Sequence, residues 1–116
     1  MEIMSKAKNE LIVIDGYADR TFLDMIKTFL FPVILITKSK TKLSSLDISK
    51  YNSEYHNLKI IYDDTFHDRY FILDKEIIYH CGASINYAGS KTFSINILED
   101  DLVKEALLEK IIKLIN

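Results

Sequence analysis

Polar side chains with complementary chemistry are concentrated in one stretch of otherwise apolar sequence. His67, Arg69 and Asp74 lie within eight residues of one another, and Ser84 and Asn86 follow after a second apolar run. An imidazole can attack phosphorus, and a guanidinium offers forked donors that match phosphate oxygens. Hydroxyl and amide groups can donate hydrogen bonds to the remaining oxygens. This set of residues predicts a phosphate site that requires no metal and no other cofactor.

Strand periodicity indicates which of these side chains can meet. Residues two apart in a strand share a face, so His67 and Arg69 are expected to point the same way. Ser84 and Asn86 repeat this spacing at the end of the next predicted strand. Pairing of the two strands would bring the four groups together. Asp74 has the opposite parity, but it ends its strand, where a turn can redirect it toward the site.

Each of these residues also has an ordinary structural explanation. His67 can cap a strand at the surface, and Arg69 can form a salt bridge with an aspartate. Asp74 is a common turn residue, and the polar residues at 84 and 86 can close a loop. The aspartates considered as partners of Arg69 are Asp64, Asp68 and Asp74.

Lysines follow one of the apolar runs. Lys38 and Lys40 come after a run that ends at Ile36. Ligands bind at the carboxyl ends of strands in parallel α/β sheets, so we expect these lysines to guide a nucleic-acid backbone. A solvated loop is the alternative, because the formal net charge of the chain is -2. His80 is interpreted as structural, and Cys81 as a small buried apolar residue.

The composition is typical of one soluble domain. The chain has 116 residues, of which 48% are hydrophobic, and we expect a single domain over 1–116. One cysteine excludes an intrachain disulfide and fits the cytoplasm. No apolar run approaches the roughly 20 residues of a membrane span, so no membrane partner is expected. The three histidines have no metal-ligand spacing, and no metal site is predicted.

Apolar runs and amphipathic stretches alternate along the chain. The runs 11–14 and 33–36 suit strands buried on both faces, with a helix between them that starts after Asp19 and stops by Pro32. A hairpin of 69–73 and 77–81 is expected to turn at 74–76. The remaining predictions are helices at 3–7, at 43–51 and from Asp100 onward, and strands at 58–62 and 93–98. Together they predict an α/β fold with a mixed, mostly parallel sheet flanked by helices.

The polar stretch resembles the signature of the phospholipase D superfamily. That signature is histidine, any residue, lysine, four residues and aspartate, followed by a glycine–serine turn and an asparagine. The resemblance implies a phospholipase-D-like α/β/α sandwich and a phosphodiesterase, best described as a metal-independent nuclease with a phosphohistidine intermediate. The positions that match are His67, Asp74, Gly82, Ser84 and Asn86.

The family forms its site from two copies of the motif, and this chain has one. The resemblance therefore implies a homodimer, with His67 as nucleophile and the same residue of the partner as general acid. Arg69, Ser84 and Asn86 would bind the phosphodiester, and Asp74 would support them.

Two departures from the pattern leave the enzyme assignment open. Arg69 replaces the lysine of the signature, and Glu99 is displaced from the position of a supporting glutamate. These departures favour a noncatalytic alternative. In that alternative the chain is a phosphate- or nucleic-acid-binding module, or an interaction domain of a larger defence or mobile-element protein.

Overall fold

The computed structural model describes residues 2–85 and 91–116, with the backbone alone for 83–85 and 91–93. Within these ranges the chain forms a six-stranded sheet and four helices, which follow the predicted apolar runs. The strands are β1 (Leu11–Ile14), β2 (Val33–Thr37), β3 (Leu58–Tyr62), β4 (Arg69–Leu73), β5 (Ile77–Ile85) and β6 (Lys91–Ile97). The helices are α1 (Glu2–Ser5), α2 (Arg20–Ile26), α3 (Ser45–Tyr55) and α4 (Asp101–Ile115). No helix in the described ranges is long and apolar enough to cross a membrane.

The sheet is mixed and has the strand order β3-β2-β1-β4-β5-β6. β2 pairs in parallel with β1 and β3, whereas the pairs β1–β4, β4–β5 and β5–β6 are antiparallel. The expectation of a mostly parallel sheet is therefore wrong. The reason lies in residues 63–68, the crossing loop, which joins β3 to β4 without a helix. A parallel connection needs a longer crossover, so the chain crosses the carboxyl edge of the sheet and returns antiparallel.

Two apolar cores lie on opposite faces of the sheet, because successive strand residues point to opposite sides. Leu11 and Val13 belong to the core under α1, α2 and α3, whereas Ile12 and Ile14 belong to the core with Ile111 of α4. All four β1 side chains are 0–1% exposed. Burial of each contributes roughly 1.5–3 kcal/mol. The continuous apolar run thus makes β1 a central strand with helices on both sides of the sheet.

Capping residues set the helix boundaries more closely than the apolar pattern does. Asp19 caps α2 as expected, but the helix ends at Ile26, before the expected stop at Pro32. α3 begins two residues later than the apolar pattern predicted. Ser44 and Asp47 form a capping box at its start, a signal that the sequence carries and the apolar pattern overlooks.

The β4–β5 hairpin turns where it was predicted to turn. Asp74 and Lys75 both have a φ of 57°, and the N–H of Glu76 donates to the carbonyl of Leu73 at 3.0 Å. Left-handed backbone at both central positions is typical of a type I′ turn, which matches the twist of paired strands. The turn fixes Asp74 at the opposite end of β4 from Arg69.

Candidate functional site

A small cleft lies at the carboxyl ends of β1 and β2, beside the crossing loop. Its volume is about 100 Å³. Ligands commonly bind at this edge in α/β sheets. Three of the predicted site residues, namely His67, Arg69 and Lys38, meet here. The cleft is lined by Gly16, Tyr17, Lys38, Phe66, His67, Asp68, Arg69, Cys81 and Gly82.

His67 and Arg69 reach the cleft by a different route from the one predicted. β4 begins at Arg69, so His67 lies in the crossing loop and not on a strand. The interpretation of a shared strand face is therefore wrong. His67 is exposed, whereas Arg69 is partly buried. The loop and the start of the strand present the two side chains to the same cleft.

Arg69 is held beside the cleft by Asp15. The Arg69 Nε lies 3.5 Å from Asp15 Oδ1, and the same oxygen accepts the N–H of Tyr17 at 2.9 Å. The Asp15 side chain is 16% exposed and that of Arg69 is 42% exposed. The alternative considered from the sequence was a salt bridge with Asp64, Asp68 or Asp74. The antiparallel pairing of β1 with β4 supplies a remote one instead, because it brings the end of β1 to the start of β4.

A second pair fixes the crossing loop from the other side. Asp68 Oδ2 lies 2.9 Å from His80 Nε2, and the His80 ring packs on Tyr70 with centroids 5.0 Å apart. The His80 side chain is 33% exposed, in agreement with the structural role predicted for it. Because Asp68 stands between His67 and Arg69 in the chain, this contact restrains both.

Lys38 extends across Gly16 to the ring of Tyr17. Its Nζ lies 5.0 Å from the ring centroid, within the range of a cation–π interaction. A Cβ at Gly16 would lie 2.9 Å from Lys38 Cε, so glycine gives the lysine stem room to pass. Lys38 and Tyr17, which come from different strand ends, thus form one surface at the cleft.

The turn that carries Lys38 is tied to the crossing loop. The backbone N–H and the Oγ of Ser39 donate to the carboxylate of Asp64 at 3.0 and 2.8 Å. These two hydrogen bonds, followed by the charges of Lys38 and Lys40, lower the pKa of Asp64. Lys40 is exposed and lies outside the cleft lining. Of the two lysines predicted to bind a ligand, Lys38 therefore lines the cleft and Lys40 does not.

Asp74, expected to support the site, lies away from the cleft. It follows the last residue of β4, whereas Arg69 is the first residue of that five-residue strand and His67 precedes it. Its carboxylate accepts backbone N–H groups at 2.7 Å from Asn9, 3.0 Å from Glu10 and 3.1 Å from Lys8. These bonds, that of Asn9 foremost, lower the pKa of the Asp74 carboxyl. Asp74 therefore fastens the segment before β1 to the hairpin.

The predicted donors Ser84 and Asn86 stay predictions. Ser84 lies in β5 opposite Thr92, and the structure describes its backbone alone. Asn86 lies outside the described residues. β5 continues to Ile85, past its expected end at Cys81. Cys81 is 8% exposed, which confirms its predicted burial.

Comparisons with known proteins relate the chain to a solved structure and to no family model. No family model and no curated protein matches the chain. Among solved structures, the chain is similar to TrmBL2, an archaeal chromatin protein whose structure shows a novel mode of DNA binding. The TM-score is 0.59 at 21% sequence identity, and the match covers 94% of this chain. It covers 44% of the TrmBL2 chain, so this chain spans less than half of that protein.

These comparisons contradict the identification with the phospholipase D superfamily. The similar solved structure belongs to a chromatin protein, and no phospholipase D model matches. The geometry agrees with the correction, because Asp74 lies away from His67 and Arg69 pairs with Asp15. The phosphohistidine nuclease and the defence-protein domain inferred from the motif are therefore wrong. The chain is instead a mixed α/β fold that resembles part of TrmBL2.

Proposed function

We propose that this domain binds DNA without cleaving it, through phosphate contacts in the cleft. The observation that carries the proposal is the meeting of Lys38 and Arg69 at the carboxyl edge, with His67 beside them. Lysine and arginine side chains are common donors to DNA phosphates, and arginine can donate two parallel hydrogen bonds. In this proposal, His67 serves as a hydrogen-bonding group and not as a nucleophile.

Three contacts hold the cationic groups in place before a ligand arrives. Asp15 positions Arg69, Asp64 restrains the turn of Lys38 through Ser39, and the Asp68–His80 pair restrains the crossing loop. Side chains that are already ordered lose less conformational entropy on binding. Because the cationic side chains are held in fixed positions, the cleft favours a ligand with a compact anionic group over a mobile counterion.

The charge balance indicates modest affinity. Asp15 contacts Arg69 and Asp68 lines the cleft, so two carboxylates offset the two permanent cations. The formal net charge of -2 also gives no broad attraction for a polyanion. Two phosphate contacts predict that log affinity falls by about 2 per tenfold rise in salt on a duplex.

The similarity to TrmBL2 supports DNA as the anionic ligand. That protein binds DNA, and the shared fold extends over 94% of this chain. Because this chain spans 44% of TrmBL2, we propose for it only the DNA contact and not the whole protein's role in chromatin.

The proposal is tested by fluorescence anisotropy with labelled DNA at low salt. We expect replacement of Lys38 by Ala and Arg69 by Gln together to weaken binding by at least about tenfold, because each charged hydrogen bond contributes about 1.5–3 kcal/mol. Lys104→Ala is the matched control, since Lys104 lies beside Lys75 and Glu76 at the hairpin end. Plasmid DNA should stay intact with the wild type. Failure of the wild type to bind any DNA at low salt would refute the proposal.

The homodimer expected from the sequence rested on a site shared between two copies of His67. That site belongs to a superfamily that the comparisons contradict, so the homodimer stays a prediction without further support. Light scattering on the purified chain measures its mass in solution, and the mass of a monomer would contradict the predicted homodimer.

A further inference from the structure

Tyr17 is an aromatic side chain left open at the cleft. It follows β1, lines the cleft and is 65% exposed. Its backbone N–H is bound by Asp15, which fixes the start of the side chain. An aromatic ring held at the rim of a cationic cleft offers a stacking surface at low entropic cost.

The contacts around the ring make Tyr17 differ from the other aromatic residue of the cleft. Phe66 is partly buried, lies 6.4 Å from the Tyr70 ring and has the Lys110 ammonium 4.0 Å from its centroid. Tyr17 has the Lys38 ammonium 5.0 Å from its centroid. One ammonium covers at most one face of a ring, so the exposed area of Tyr17 leaves room for a flat partner.

Exposed base faces distinguish single-stranded from duplex DNA. In a duplex the bases stack on one another, and a side chain beside the backbone meets sugars and phosphates. In a single strand the bases are available, and stacking of one base on an aromatic side chain changes affinity by about 5- to 150-fold. Sequence-independent duplex binding relies on neutralising many phosphates, whereas this cleft offers Lys38 and Arg69.

We propose that the cleft binds a single-stranded segment of DNA, with a phosphate at Lys38 and Arg69 and a neighbouring base stacked on Tyr17. The inference rests on the proposed DNA binding and specifies the form of the DNA. The proximity of Lys38 to the Tyr17 ring places the cation and the stacking surface within reach of one nucleotide.

Three labelled probes of equal length test the inference by anisotropy: a single strand of mixed sequence, the same sequence as a duplex, and an abasic single strand. The wild type should bind the first probe at least about fivefold more tightly than the other two. Tyr17→Ala should lose this advantage and bind the abasic strand as the wild type does. Tyr17→Phe, which keeps the ring, should stay within about twofold of the wild type on every probe. Thermal unfolding of each variant confirms that it is folded.

Each other outcome has a defined meaning. Equal affinity for strand and duplex, with no effect of Tyr17→Ala, would overturn the inference and leave DNA binding intact. An equal loss in Tyr17→Phe and Tyr17→Ala would also overturn it, because the hydroxyl and not the ring would be responsible. Failure to bind all three probes would refute the proposed function itself.

Discussion

The two ends of β4 differ in how their charged side chains are engaged. At the start, Arg69 lines the cleft together with the exposed His67. At the other end, Asp74 accepts three backbone N–H groups and occupies a type I′ turn. A carboxylate saturated by backbone donors stabilises the fold, whereas cations at an open cleft can bind a ligand. Residues that are close in the sequence thus lie in different environments in the fold.

Strand geometry explains why the motif divides. A strand rises about 3.4 Å per residue, so the five residues of β4 place its two ends too far apart to contact one phosphate group together. In the sequence, Arg69 and Asp74 are both polar residues at a boundary of the same apolar run, so the pattern does not distinguish them. The difference arises from what each end meets in the fold, namely the segment before β1 at Asp74 and the ends of β1 and β2 at Arg69.

The largest effect should come from the middle of β4, which supports both ends. Ile72 is 0% exposed, and Ile72→Ala should lower the free energy of unfolding by about 2–5 kcal/mol through the lost contacts and the cavity. Urea denaturation measures the change. A loss below about 1 kcal/mol would show that the two ends do not depend on a common packed strand.

Substitutions at the two ends should separate stability from binding. Asp74→Asn keeps a side chain that tolerates left-handed backbone but removes the charged acceptor, so thermal unfolding should shift down by several degrees with DNA affinity retained. Arg69→Gln should do the reverse, weakening DNA binding by about tenfold with a smaller shift in unfolding. Equal effects of the two variants on thermal unfolding and on DNA affinity would show that the two ends of β4 do not differ in this way.

The stability contribution of Asp74 should depend on pH. Its pKa in the folded chain is lowered by the amide hydrogen bonds, so its contribution is complete above the unfolded-state pKa of about 3.9 and is lost as the pH falls through the folded-state pKa. The unfolding temperatures of wild type and Asp74→Asn should differ by a constant amount from about pH 7 to 5 and converge below about pH 4. A difference that grows toward acid would contradict the assigned role.

The smallest effect should separate the two lysines after β2. Lys38 lines the cleft and Lys40 does not. Lys38→Ala should reduce the salt dependence of binding by about one phosphate contact, a change of about 0.9 in the log–log slope on a duplex. Lys40→Ala should leave the slope within error of the wild type. Identical slopes for the two variants would indicate a diffuse lysine surface in place of a defined cleft.

Local sequence patterns predicted the helices and strands but not all of the contacts between distant parts of the chain. The run at β2 places Lys38 at a strand end, and the turn at Asp74 is visible as polar residues between apolar runs. The Asp15–Arg69 contact could not be predicted, because it depends on β4 crossing to pair with β1. The error at His67 arose because strand parity was applied to a residue two positions before the predicted strand, 69–73, and the structure begins β4 at Arg69.

The most direct test of the central claim is a titration of isotope-labelled protein with single-stranded DNA, followed through backbone amide chemical shifts. We predict shifts that saturate together at Gly16, Tyr17, Lys38 and Arg69, with Asp74 and Lys75 unchanged. Saturating shifts centred on the hairpin turn, or none at the cleft while DNA binds elsewhere, would contradict the account.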